Sequence, residues 1–263
     1  GAVAVFAAPA FAQSTVRIGM TAADIPRTLG QPDQGFEGNR FTGNTMYEGL
    51  TLWDLSSADK ASVIIPGLAT EWAVSPSDNT KWIFKLRPGV KFHDGSDFNA
   101  DAVVWNVEKV LKPDALHFDP SQVGVTASRM PSLRSARKID DMTVELTTAA
   151  PESLLPINLT NLFMASPAHW KKLYYASSAT DPKEKAKQAW DAFARNASGT
   201  GAWKMERFVP RERLELVKND AYWNPARRPK VDKLVLLPMP EANARTAALL
   251  SGQVDWVENP APD

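Results

Sequence analysis

The side chains best suited to chemistry are sparse in this sequence and do not cluster. Three histidines, His93, His117 and His169, stand far apart, and none has the close helical spacing that lets paired imidazoles hold a metal. Cysteine is absent, which excludes thiol nucleophiles, thiolate zinc sites and iron–sulfur clusters together. No Gly-x-Ser-x-Gly elbow, P-loop or protein-kinase signature set occurs. Gly199-Thr200-Gly201 lacks the third glycine of a dinucleotide fingerprint and reads as a tight passage of backbone. Asp94-Gly95-Ser96-Asp97 is too short for a calcium loop and reads as a turn. Asp24 and Glu48 could serve an exported hydrolase as an acid/base pair, but their spacing gives that reading no support. The inventory calls for no metal and no cofactor. What stands out is nine tryptophans, of which Trp53, Trp72, Trp203, Trp223 and Trp256 fall in loops or at element ends, where an indole either fills core or lines a ligand pocket. A binding protein fits this set better than an enzyme.

The 263 residues balance 30 Lys+Arg against 30 Asp+Glu, so no net field gathers nucleic acid or anionic lipid. A hydrophobic share of 44% is ordinary for a globular chain and enough to build a core without disulfides. Residues 1–12 are uncharged and end in Ala10-Phe11-Ala12, which reads as the remnant of a secretory signal cleaved after Ala12. No later apolar run approaches the ~20 residues of a membrane span. The expectation is an exported, soluble protein.

Several elements are legible. Thr15 to Met20 reads as a strand, followed by a long loop over 21–40 and a short helix over Thr42–Leu50. Ala69 to Arg87 reads as a hairpin turning at Ser75-Pro76-Ser77-Asp78-Asn79, with Trp82, Phe84 and Leu86 on one face and Lys81, Ile83, Lys85 and Arg87 on the other. Asn99 caps a helix whose apolar stripe is Val103, Val104, Val107, Val110 and Leu111, and Pro113 lies past its end. A second hairpin turns at Asp140-Asp141, a helix covers Lys185–Arg195, and a third hairpin joins Ala202–Phe208 to Leu214–Lys218. Lys233–Leu237, Glu241–Ser251 and Val254–Val257 then read as strand, helix, strand, a βαβ unit that implies parallel pairing.

Trp82-Ile83-Phe84-Lys85-Leu86-Arg87-Pro88-Gly89-Val90-Lys91-Phe92-His93-Asp94-Gly95 resembles the best-known signature of the extracellular solute-binding proteins of family 5, the peptide/nickel-type receptors of ABC importers. Met46-Tyr47-Glu48-Gly49-Leu50, Pro66-Gly67-Leu68-Ala69 with Trp72, Phe98-Asn99-Ala100-Asp101, Gly199-Thr200-Gly201, Asn219 with Tyr222-Trp223, and Leu249-Leu250-Ser251-Gly252-Gln253-Val254-Asp255 match in order. The resemblance runs from about residue 16 to the end. Physically the signature reads as scaffold, a packed strand and two turns, with His93 as a turn histidine and not a metal ligand.

The resemblance implies an α/β fold of the type II periplasmic-binding kind, with a hairpin-rich subdomain inserted into a first lobe and a further lobe closing over the ligand. Mapped here, residues 14–50 and 198–263 form the first lobe and residues 51–197 the inserted subdomain. The closing lobe is missing from the sequence on this mapping. Where the family commonly has Pro-Tyr after Gly-Thr-Gly, this chain has Ala202-Trp203. The implied function is capture of a small solute, a peptide first, for an ABC permease in the periplasm, by a receptor monomeric when full length. A nickel chelate, an oligosaccharide or an organic acid are alternative ligands within the class. The ligand is expected to meet Thr21, Ala22 and Asp24 in the loop after the first strand, and Gly201 and Trp203 in the Gly199–Trp203 passage.

Overall fold

A computed structural model describes residues 14–261, so the expected signal remnant lies outside the described residues. From the amino end, β1 (Thr15–Met20) leads through a loop to α1 (Gly35–Gly38), which runs on as a π-helical turn, Asn39–Gly43. The short pair β2 (Thr51–Trp53) and β3 (Ile64–Pro66) precedes the hairpin of β4 (Ala69–Ser75) and β5 (Asp78–Leu86). Helices α2 (Ala100–Leu111) and α3 (Pro120–Arg129) follow, then the hairpin of β6 (Leu133–Asp140) and β7 (Thr143–Thr148). After α4 (Leu155–Asn158) come α5 (Pro167–Ala176) and α6 (Pro182–Arg195). The hairpin of β8 (Trp203–Val209) and β9 (Arg213–Lys218), then β10 (Lys233–Pro238), α7 (Ala242–Leu250) and β11 (Trp256–Val257), complete the described chain.

Two main sheets result. The first is five-stranded in the order β11-β1-β10-β9-β8, the second four-stranded in the order β4-β5-β7-β6. In the first, β1 lies between β10 and β11 and pairs parallel with both, from Thr15 opposite Lys233 to Met20 opposite Pro238 and from Ile18 opposite Trp256. The expected βαβ unit is therefore present, with the amino-terminal strand slotted between its two strands.

Each sheet carries a core. In the second, Phe84 and Leu86 are buried while Lys85 between them is exposed, as the alternation predicts. They pack with Val144, Leu146, Val103 and Val107. The first core joins Ile18, Leu214, Leu216 and Leu236 to Trp105, Trp170, Trp190 and Phe193. Helix α2 faces both cores, giving Trp105 to one and Val103 and Val107 to the other. The segment expected as an inserted subdomain thus also fills the core beneath β1. These three tryptophans, with His117 stacked 4.5 Å from Trp105, are the buried indole cluster, and the loop-borne set singled out by the sequence does not include them.

One expected helix moves. Residues 42–50 do not form it; the helical segment is 35–43. The carbonyls of Thr45 and Met46, which a helix over 42–50 would give to the N–H groups of Gly49 and Leu50, accept instead from Trp203 and Gly201.

Candidate functional site

Two neighbourhoods hold the motif residues and the residues expected at the ligand site. The first is a joint between the sheets. Glu48 is buried, and its carboxylate accepts from Tyr222 Oη at 2.5 Å and Trp223 Nε1 at 2.8 Å, so two motifs meet on one side chain. Burial pushes its pKa up despite these donors. The Arg87 guanidinium lies 4.2 Å from the Trp223 ring centre while its Nε donates to Gly67 O, which brings in the long signature and the Pro66–Ala69 segment. His93 docks on the Gly199–Gly201 passage. Its main-chain N–H donates to Gly199 O, its Nδ1 accepts from Gly199 N, and its Nε2 faces Gly201 O at 2.9 Å. That pair of contacts requires a neutral ring protonated on Nε2, and burial holds the pKa down at about 4. A Cβ on Gly199 would sit 2.1 Å from Met46 O, and one on Gly201 2.4 Å from Thr45 O. The two glycines let one strand of backbone lie directly on another.

The second neighbourhood is the edge of the first sheet where β1, β10 and β11 present their carboxyl ends, the edge at which open α/β sheets bind ligands. Here the main-chain N–H groups of Thr21 and Ala22 both donate to the Glu37 carboxylate. Asp24 Oδ1 accepts from Arg211 N at 2.7 Å and so pins the β8–β9 turn, where Arg211 has a φ of 62°. Buried Arg245 donates to the carbonyls of Met239, Pro240, Glu258 and Asn259, tying the segments that leave β10 and β11. Arg40 pairs with Glu258, and Trp256, 43% exposed, packs edge-on to Phe41. A cavity of about 890 Å³ lies elsewhere, between the loop leading into α3 and the start of α6, with no strand in its wall.

The structure separates the five expected site residues. Thr21, Ala22 and Asp24 lie at the carboxyl end of β1. Trp203 is level with Lys218 and Lys218 with Asp232, opposite the amino end of β1. Both polar groups of Gly201 are engaged, its N–H by Met46 O and its carbonyl by His93 and Asn219. Trp203 packs against the first core. Asp24 and Glu48, the carboxylate pair of the hydrolase alternative, likewise serve different neighbourhoods. Sequence reasoning passed over Glu37 and Arg245, which lie in no motif it singled out.

A family model described as bacterial extracellular solute-binding proteins, family 5 Middle, matches residues 63–263. A putative ABC transporter peptide-binding protein of Brucella ovis is 30% identical over 266 aligned positions, covering 96% of this chain and 45% of its own length. The dipeptide-binding protein of Escherichia coli is 29% identical, covering 89% of this chain and 44% of its own. Among solved structures, the ABC transporter-associated periplasmic binding protein DppA of Helicobacter pylori, in complex with the peptide STSA, superposes with a TM-score of 0.75 at 25% identity, covering 92% of this chain and 46% of that one. The chain spans about half the length of the relatives it matches. On the family match, together with the folded joint its motifs build, the chain belongs to the bacterial extracellular solute-binding proteins of family 5.

Proposed function

We propose that this chain supplies the first, ligand-facing lobe of an exported receptor that captures a small peptide in the periplasm and hands it to an ABC permease. The observation that carries the reading is the convergence of the carboxyl ends of β1, β10 and β11 on one edge, where the consecutive N–H groups of Thr21 and Ala22 both donate to one carboxylate, that of Glu37. Consecutive main-chain N–H donors at such an edge suit a peptide, whose carbonyls and terminal carboxylate can accept from them. Thr21, Ala22 and Asp24 form the lip; Gly201 and Trp203 act through the joint that carries it. The Brucella ovis and Escherichia coli relatives, a putative peptide-binding protein and a dipeptide-binding protein, support a peptide as the ligand.

Capture in two-lobed binders depends on hinged closure of a second lobe, which buries the ligand and fixes its polar ends. A micromolar binding energy of about 8 kcal/mol shared between two lobes leaves about half to either, which corresponds to millimolar affinity. Calorimetry with di- and tripeptides, a nickel chelate, an oligosaccharide and an organic acid tests the reading. Weak binding selective for peptides is expected. Selective binding of the nickel chelate, or turnover of chromogenic esters, would overturn it.

A further inference from the structure

The lip already holds a carboxylate, and it comes from the chain itself. Glu37 Oε1 accepts from Thr21 N at 2.7 Å, and Glu37 Oε2 accepts from Ala22 N and Thr21 Oγ1, each at 2.7 Å. Two successive amides and a hydroxyl thus converge on a two-oxygen anion, without a cationic side chain among these contacts. The residues leading into Glu37 are exposed, while Gly38 just after it is buried against Asp33. Gln34 and Gly35 both sit at a φ of 59°, in the left-handed region that costs a non-glycine residue energy. Phe36 is 87% exposed, and a Cβ on Gly35 would meet nothing within 4 Å. The four-residue helix that follows opens at once into the π-helical turn, a form frequent at sites that rearrange.

We propose that the Thr21 and Ala22 amides with the Thr21 hydroxyl are a carboxylate-binding site, which Glu37 fills in the free chain and yields to the carboxylate of the solute. The proposal rests on the reading of this edge as ligand-facing and adds the ligand class: a solute that presents a free carboxylate here. Donor geometry sets that class, because three donors split one and two over a pair of oxygens match a carboxylate and leave a phosphate's extra charge unmatched. Glu37 competes at the high effective concentration of a tethered group, so the external carboxylate must displace it. The exchange is one carboxylate for another on the same donors, so the lip is never left without an acceptor.

The test follows the Thr21 and Ala22 amide resonances during acetate titration of the whole chain. In Glu37→Ala, acetate is expected to shift both amides saturably, at a half-saturating concentration at least about tenfold below that of the parent chain. Glu37→Gln, which keeps the side chain's length and removes its charge, gives a second route to the same result should the alanine variant unfold. Equal half-saturation in variant and parent, or amides that ignore acetate in a folded variant, would overturn the proposal and make Glu37 a staple of the loop. Comparing Ala-Ala with its carboxyl-terminal amide separates the two readings. An acetate response without dipeptide binding supports this site while removing the peptide assignment; dipeptide binding with no acetate response overturns this site alone.

Discussion

His93 is the joint's most exacting contact, and acid should undo it. Its Nδ1 is an acceptor and its Nε2 a donor on the same three-residue passage, so a second proton would set an N–H against the Gly199 N–H. Burial holds the pKa at about 4, against 6.5 in the unfolded chain. At about 1.4 kcal/mol per pH unit, that gap is worth about 3 kcal/mol. The sign is that of a depressed base. The contribution is complete above pH 6.5, declines as the unfolded chain takes up its proton, and is gone near pH 4. His117, also held to about 4 by burial, and the carboxylates titrate in the same window, so His93→Gln supplies the difference measurement. An amide can still accept from Gly199 and donate to Gly201, but it does not titrate. Urea midpoints at constant m, taken from pH 7 to 4, should show the parent losing about 3 kcal/mol more than the variant. Parallel curves would refute the reasoning, as would a His93 midpoint near 6.5 by NMR.

Three further outcomes follow from packing and burial. Phe84→Ala removes a ring buried in the second core and should cost about 3–5 kcal/mol by chemical denaturation, whereas exposed Lys85→Ala stays within about 0.5 kcal/mol. Gly199→Ala forces a Cβ against Met46 O and should destabilise by at least about 1–3 kcal/mol, while Gly124→Ala, with open space in α3, should stabilise by about 0.5–1 kcal/mol; thermal melts of the pair check both. Lys109 is fully buried, and desolvation lowers its pKa to about 7. Because burial penalises the ionised form, Lys109→Met should raise the Tm, and by more at pH 6 than at pH 9.

Local pattern made much of the fold readable. Strand β5 announced its faces through Trp82, Phe84 and Leu86, and α2 its start through Asn99, whose side chain accepts from Ala102 N. The passed-over helices α3 and α5 carried a signal too: each begins with a capping residue followed by proline, Asp119-Pro120 and Ser166-Pro167, as α6 does with Asp181-Pro182. Residues 42–50 were misread because nothing local shows that their carbonyls serve other segments. The grouping of Gly201 and Trp203 with Thr21 and Asp24 needed the register of β8, β9, β10 and β1, which is set by partners more than two hundred residues apart in the chain.

That contrast also explains why the recognisable motifs are not the lip. A joint between two sheets asks for particular atoms: no Cβ at Gly199 and Gly201, two acceptor oxygens at Glu48 for two donors, and at His93 one donor and one acceptor on a single ring. Few residue types answer each demand, so the joint writes itself into the sequence. The lip asks for less. Thr21 and Ala22 offer main-chain N–H groups, which every residue but proline carries, and only the Thr21 hydroxyl adds a side chain. What the lip needs is position, supplied by β1 lying between β10 and β11 and by Asp24 and Arg245 holding the neighbouring turns. On the proposed reading, a scaffold of this kind can keep its signature while its ligand changes, because the joint and the lip are made by different residues.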